Sequence, residues 1–227
     1  MESWSRPCFK GFERVIIGDS SIRAFGRMRR FLHGMSITGF GGMDVLELIC
    51  LLQAGKISND VDLGKHRVRS RFQNGRDEFP TVRFCIHCYS ECLQEFTGQL
   101  TLVIGLNNSL KAEREPFANE YGRNLQDVDG MFSLLDRILL KMLPNANVNY
   151  MPVLNVTRPV WIRSQLSQKI YGDVNANIYR RNHLQLDIDE PKREGIYDSE
   201  GIHILDEEAL DFWTKAFTEL QSTQVNS

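Results

Sequence analysis

"RVIIGDSSIRAFGRMRRFL", Arg14 to Leu32, decides the fold. Val15, Ile16 and Ile17 run without polar alternation, the mark of a strand covered on both faces. Gly18 tightens the chain, Ser20 and Ser21 follow, and helical periodicity takes over. Ile22, Phe25, Arg29 and Leu32 then fall on one side, while Arg23, Arg27 and Arg30 recur at i, i+4 and i+7 on another. A strand that passes through a polar turn into a helix opens a β-loop-α unit. Ser20 at that hinge is either a helix cap or a group set for chemistry.

The same grammar repeats along the chain. "MSITGFGG" (35–42) predicts a short strand running into glycines, and "MDVLELICLLQAG" (43–55) a helix with Val45, Leu48, Ile49 and Leu52 inward and Gly55 as its stop. "QLTLVIGLNN" (99–108) predicts a third buried strand with a polar end, and 125–143 a helix through Val128, Phe132, Leu135, Leu139 and Met142. "NVNYMPVLNV" (147–156) supplies a fourth strand, 159–181 a less regular helix, and "HLQLDID" (183–189) a fifth strand. "DEEALDFWTKAFTEL" closes the pattern as a helix whose first turn carries Asp206, Glu207 and Glu208, acids favoured at a positive N-terminus. Five strands alternating with helices predict an α/β fold with a five-stranded parallel sheet covered on both faces.

Composition narrows the classes. The chain has 227 residues, 42% hydrophobic and 25% charged, which suits a single domain over 1–227. Lys+Arg 27 against Asp+Glu 29 leaves a formal charge of -2, so no global basicity announces nucleic acid. No apolar run is long enough to span a membrane and the opening "MESWSRPCFKGFERV" lacks an apolar leader core, which reads as intracellular and cytoplasmic. Cys8, Cys50, Cys85, Cys88 and Cys92 form no disulfide framework and suit a reducing compartment. A charged insertion around 56–96 contains "GKHRVRSRFQNGR" and then "CIHC". The spacing of Cys85, Cys88 and Cys92 matches one helical face better than a zinc site, which needs a second ligand pair, so no metal is expected.

Four polar clusters fall at predicted carboxyl ends of strands or just before the last helix, where open α/β sheets bind ligands. They are Gly18-Asp19-Ser20, Gly41-Gly42, "GLNN" (105–108) and "EGIH" (200–203). Together they supply what acyl transfer requires. Ser20 would attack, His203 would take its proton, and a carboxylate shortly before the histidine would hold the imidazole in the right tautomer. Backbone N–H groups of Ser20 and Gly42 and the Asn107 amide fit the task of receiving an oxyanion.

In these four blocks the chain resembles the SGNH (GDSL) hydrolases. That family carries Ser in G-D-S near the N-terminus, a Gly after the second strand, Asn in G-x-N-D, and D-x-x-H near the C-terminus. The resemblance runs from Val15 to Phe217. It implies a flavodoxin-like three-layer α/β/α sandwich and a serine esterase or acyl hydrolase, with a small acyl-ester substrate and no cofactor. Three departures stand out. Glu200 occupies the usual Asp position, with Asp198 as its rival. Asn108 replaces the Asp of G-x-N-D. The insertion spreads the second and third blocks apart.

A second function class competes. SGNH-like domains also occur in retrotransposon-encoded proteins and in the germ-plasm protein Oskar, whose domain lacks the catalytic set and binds RNA. A catalytically weak module of that kind would use basic patches, here Arg23, Arg27, Arg30, Arg67, Arg69 and Arg71, to engage RNA or a protein partner. Stacking aromatics are sparse among them, Phe72 excepted. Oligomeric state is not legible.

Overall fold

A computed structural model of the protein describes residues 9–28, 32–54, 93–114, 126–154, 164–182 and 195–224. Four strands form one parallel sheet in the order β2-β1-β3-β4: β1 (Arg14–Gly18), β2 (Met35–Gly39), β3 (Gln99–Val103) and β4 (Asn147–Tyr150). β1 pairs on both sides, Gly18 lying opposite Gly39 on β2 and Val103 on β3. Every residue of β1 and β3 is buried, as expected of the two interior strands of such a sheet, Arg14, Gln99 and Thr101 included.

Six α-helices accompany these strands among the described residues: α1 (Arg23–Arg27), α2 (Val45–Ala54), α3 (Leu106–Arg114), α4 (Val128–Met142), α5 (Gln165–Arg181) and α6 (Asp206–Gln224). The pleat sorts them. Val15, Ile17, Leu100 and Leu102 join one core with apolar residues of α2 to α5. Ile16 and Val103 join the other with Phe25 of α1 and Trp213 and Phe217 of α6. The result is the expected three-layer sandwich, each face of the sheet covered by helices.

Side chains fix several helix starts. Asp44 and Glu47 form a reciprocal capping box: the Glu47 N–H donates to Asp44 Oδ1 at 2.8 Å, and the Asp44 N–H donates to Glu47 Oε2 at 3.1 Å. Asp127 caps α4 and Ser164 caps α5. Arg14 staples the layers, donating to Gln99 Oε1 at 2.9 Å and to the Phe217 carbonyl of α6 at 2.6 Å.

Two expectations change. "GLNN" is not the tail of a strand: β3 ends at Val103 and α3 begins at Leu106, so Asn107 and Asn108 lie in a first helical turn. Asn107 and Asn108 are poor helix-interior residues but are tolerated in an opening turn, which strand-like periodicity concealed. The sheet has four strands rather than five, and the predicted strand 183–189 lies outside the described residues. So do the residues 56–92 of the insertion. Among the described residues, no helix is long and apolar enough to cross a membrane.

Candidate active site

Strand order reverses about β1, with β2 on one side and β3 on the other, the point at which open α/β sheets form a ligand crevice. Pairing continues past the strands to shape it. The Asp19 N–H donates to the Val103 carbonyl at 2.9 Å, and the Phe40 N–H donates to the Gly18 carbonyl at 2.8 Å. Three predicted clusters are thereby brought to one end of the sheet.

Ser20 opens a single 3-10 turn, Ser20–Ile22, that leads into α1. It is not the cap. Asp19 takes that role, its Oδ1 accepting from the Ser21 N–H at 2.8 Å and from the Ser21 hydroxyl at 2.6 Å. With capping delegated to its neighbour, the Ser20 hydroxyl is turned to His203, whose Nε2 lies 2.9 Å away. The other ring nitrogen, Nδ1, is 3.0 Å from Asp198 Oδ2. This fixes the tautomer that serves a serine: Nδ1 donates to the carboxylate and Nε2 accepts from the hydroxyl.

The carboxylate that meets the imidazole is therefore Asp198 rather than Glu200, the residue at the family position. Residues 198–203 form a tight return in which the Asp198 N–H donates to the His203 carbonyl at 2.7 Å and the Gly201 N–H to the Asp198 carbonyl at 2.8 Å. An isolated antiparallel bridge, Tyr197 to Ile204, closes its neck. Asp198 and His203 face each other across that neck, while Glu200 sits exposed at the tip. Asp198 Oδ1 also accepts from the Ile202 N–H at 3.1 Å. The family resemblance pointed to Glu200, three residues before His203, with Asp198 as its rival; in the closed hairpin the offset is five.

Electrostatics follow from these contacts. Partial burial alone would raise the Asp198 carboxyl, but hydrogen bonds from the Ile202 N–H and from the ring and N–H of His203 outweigh it and bring it to about 2. His203 is held below its ordinary value, first by burial and then by the Arg23 charge, with Asp198 and Glu200 opposing. Asp19 is raised to about 6 by complete burial, against the hydrogen bonds of Ser21 and the influence of Asn107 and Lys111.

The remaining predicted residues divide. Asn107 is buried, and its side chain acts on the buried Asp19 carboxyl, lowering it. Gly42 lies in the loop after β2 with φ +72°, a left-handed conformation that glycine adopts without a Cβ penalty. Asn108 accepts from the Val45 N–H at 3.1 Å and so braces the start of α2.

Of the basic residues proposed for nucleic acid, Arg23 turns into the site instead, its Nη2 3.1 Å from Asp198 Oδ2 and its Nε 4.0 Å from Asp206. The Arg27 backbone ends α1, and Arg30, Arg67, Arg69 and Arg71 lie outside the described residues. Arg180 and Arg181 pair with Asp129 at 2.8 Å and Asp136 at 2.7 Å. Sequence reasoning missed the part of Arg23 at the site, although its three-residue offset from Ser20 already placed the two on one helical side. It also missed a buried cluster beside the crevice, in which Lys111 Nζ lies 2.6 Å from both Asp44 Oδ2 and Glu47 Oε2.

Solved structures resemble this architecture. A GDSL-like lipase from Bacteroides thetaiotaomicron VPI-5482 superposes with a TM-score of 0.53 at 15% identity, covering 97% of this chain and 92% of that one. A protein assigned as a platelet activating factor from Streptococcus pneumonia gives 0.52 at 14% identity, over 92% and 83% of the two chains. One assigned as a GDSL-like lipase from Parabacteroides merdae ATCC 43184 gives 0.50 at 12%, over 93% and 98%. At such identities the likeness defines the fold: α/β, with a helix-flanked parallel sheet like that of GDSL lipases. No protein-family model matches the sequence, and no curated protein matches it either.

Proposed function

We propose that this protein is a serine hydrolase of the SGNH type that cleaves small acyl esters through Ser20, His203 and Asp198. One observation carries the reading: His203 bridges Ser20 and Asp198 with both ring nitrogens, at 2.9 Å and 3.0 Å. Residues 183 positions apart in sequence have no folding reason to align a hydroxyl, an imidazole and a carboxylate in series. That the structural neighbours include proteins called GDSL-like lipases supports the reaction class.

In the acylation step Ser20 Oγ attacks the ester carbonyl carbon while its proton passes to His203 Nε2. The Ser20 and Gly42 N–H groups and Asn107 Nδ2 receive the oxyanion. Collapse of the tetrahedral intermediate breaks the bond to the alcohol, which leaves with the proton from His203. Water then attacks the acyl-serine, giving its proton to the same nitrogen, and the acid departs as Ser20 is reprotonated. Asp198 stays ionised and stabilises the transient imidazolium.

The test combines p-nitrophenyl acetate turnover with a fluorophosphonate label. Wild-type protein should hydrolyse the ester and take the label at Ser20, and Ser20→Ala should do neither. Absence of labelling, or a label that persists in Ser20→Ala, would remove the hydrolase reading.

A further inference from the structure

The site contains one cation that the hydrolytic scheme does not use. Arg23 lies three residues after Ser20, and its backbone N–H donates to the Ser20 carbonyl at the end of the 3-10 turn. Its side chain is 20% exposed, and its guanidinium reaches across to the loop at the other end of the chain, Nη2 standing 3.1 Å from Asp198 Oδ2. That oxygen is the one that meets His203 Nδ1 at 3.0 Å. The contacts form a closed ring from Ser20 to His203, to Asp198, to Arg23 and back to Ser20 through the backbone. Asp206, in the first turn of α6, lies 4.0 Å from Arg23 Nε and draws the guanidinium from the far side.

We propose that Arg23 is a positioning residue of this site, clamping Asp198 onto His203 and tying that pair to the turn that presents Ser20. The proposal rests on the hydrolase reading for its catalytic consequence. A carboxylate on a solvent-facing return needs restraint on both oxygens to keep one rotamer. Oδ1 has the Ile202 N–H at 3.1 Å, whereas Oδ2 would be held by the imidazole alone without Arg23. Arginine suits this because its planar fork presents Nη2 to Asp198 and Nε toward Asp206 at a fixed spacing.

The clamp has an electrostatic consequence that a packing role would lack. Arg23 opposes a proton on His203, whereas Asp198 and Glu200 favour one. Arg23, Asp198 and Glu200 are the charges that act on the imidazole, and Asp206 faces Arg23. Arg23 thus holds the acid in place and keeps the base unprotonated between turnovers.

The test uses Arg23→Met and Arg23→Lys in the full chain, with two readouts. The first is the NMR signal of the His203 Nδ1–H and its protection from exchange with water. The second is the rate of fluorophosphonate labelling at Ser20. Arg23→Met should lose the protected signal and label on the order of 10- to 100-fold more slowly, as small misplacements of reacting groups do. Arg23→Lys should recover part of both. Should Arg23→Met fail to fold, Arg23→Lys decides alone, and an unchanged signal and rate there overturn the proposal. A wild-type rate in Arg23→Met overturns it, as does slow labelling with the Nδ1–H still protected, since the arginine would then act elsewhere. If wild-type protein never labels but Arg23→Met still exposes the Nδ1–H, the clamp stands and the hydrolase reading falls.

Discussion

His203 Nε2 stands 2.9 Å from Ser20 Oγ, joining the turn after the first strand to the return before the last helix. This contact has a kinetic signature. Because the two groups act as one unit, Ser20→Ala and His203→Ala should each lower kcat for p-nitrophenyl acetate by roughly 10⁴-fold or more, and the double variant should be hardly worse than either. Steady-state rates of the three proteins check this. Losses that multiply in the double variant would mean that the groups act independently.

The two carboxylates near His203 should separate cleanly. Asp198→Asn keeps the shape but presents an amide where Nδ1–H needs an acceptor, so kcat should fall by about 10⁴-fold, as loss of the correct tautomer does in serine triads. Glu200 is exposed at the tip of the return, and Glu200→Gln should stay within about three-fold of wild type, in line with the small worth of solvated charges. A reversed ranking would show that the 198–203 return rearranges when substrate binds.

The dependence of rate on pH follows from the direction of the His203 shift. The base must be neutral to accept the Ser20 proton, and burial with the Arg23 charge holds its pKa below the ordinary 6.5. The acid limb of kcat/KM should therefore fall below pH 6.5, with activity persisting as the solution is acidified through that value. Glu200→Gln removes a charge that raises His203 and should move the limb slightly lower still. A limb above the ordinary imidazole range contradicts both the burial and the arginine contact.

Much of this was legible before any coordinates. The apolar run Val15 to Ile17 foretold a covered strand, and the polar clusters at 18–20 and 200–203 included the two residues, Ser20 and His203, that the fold brings into contact. Three-dimensional closure was not legible. The choice of Asp198 over Glu200 depends on backbone hydrogen bonds across the 198–203 neck, and a spacing rule carries no such information. The capping role of Asp19 was hidden because serine and aspartate are equally apt caps. The basic periodicity of Arg23, Arg27 and Arg30 read as one stripe, yet Arg23 leaves it for an acid 175 residues away.

Asp19 makes stability itself depend on pH. Its carboxyl is raised from 3.8 to about 6 by burial, so between those values the folded chain binds more protons than the unfolded one. Its contribution is greatest below pH 3.8 and declines as pH rises through about 6, for a total of roughly 2–3 kcal/mol at about 1.4 kcal/mol per pKa unit. Asp19→Asn, which can still accept from Ser21, should flatten that decline in denaturant unfolding measured from pH 4 to 7. An identical slope in both proteins would show Asp19 to be ionised at no cost.

Lys111 raises the sharpest energetic question, because its ammonium faces two buried carboxylates, at 2.6 Å each. Its side chain is 4% exposed and theirs 0%. Burial and the adjacent Asp44 raise the Glu47 carboxyl, and Lys111 counters them. The cluster joins the first turn of α2, after the Gly42 loop, to α3, which carries Asn107 in its own first turn. Lys111→Met would remove its charge from both acids, and breaking a buried pair from one side costs about 3–5 kcal/mol. Adding Glu47→Gln to Lys111→Met removes one of the two charges and should recover a substantial part of that loss. Denaturant unfolding of the single and double variants checks the coupling: additive effects would mean that water reaches these groups and that the cluster braces nothing.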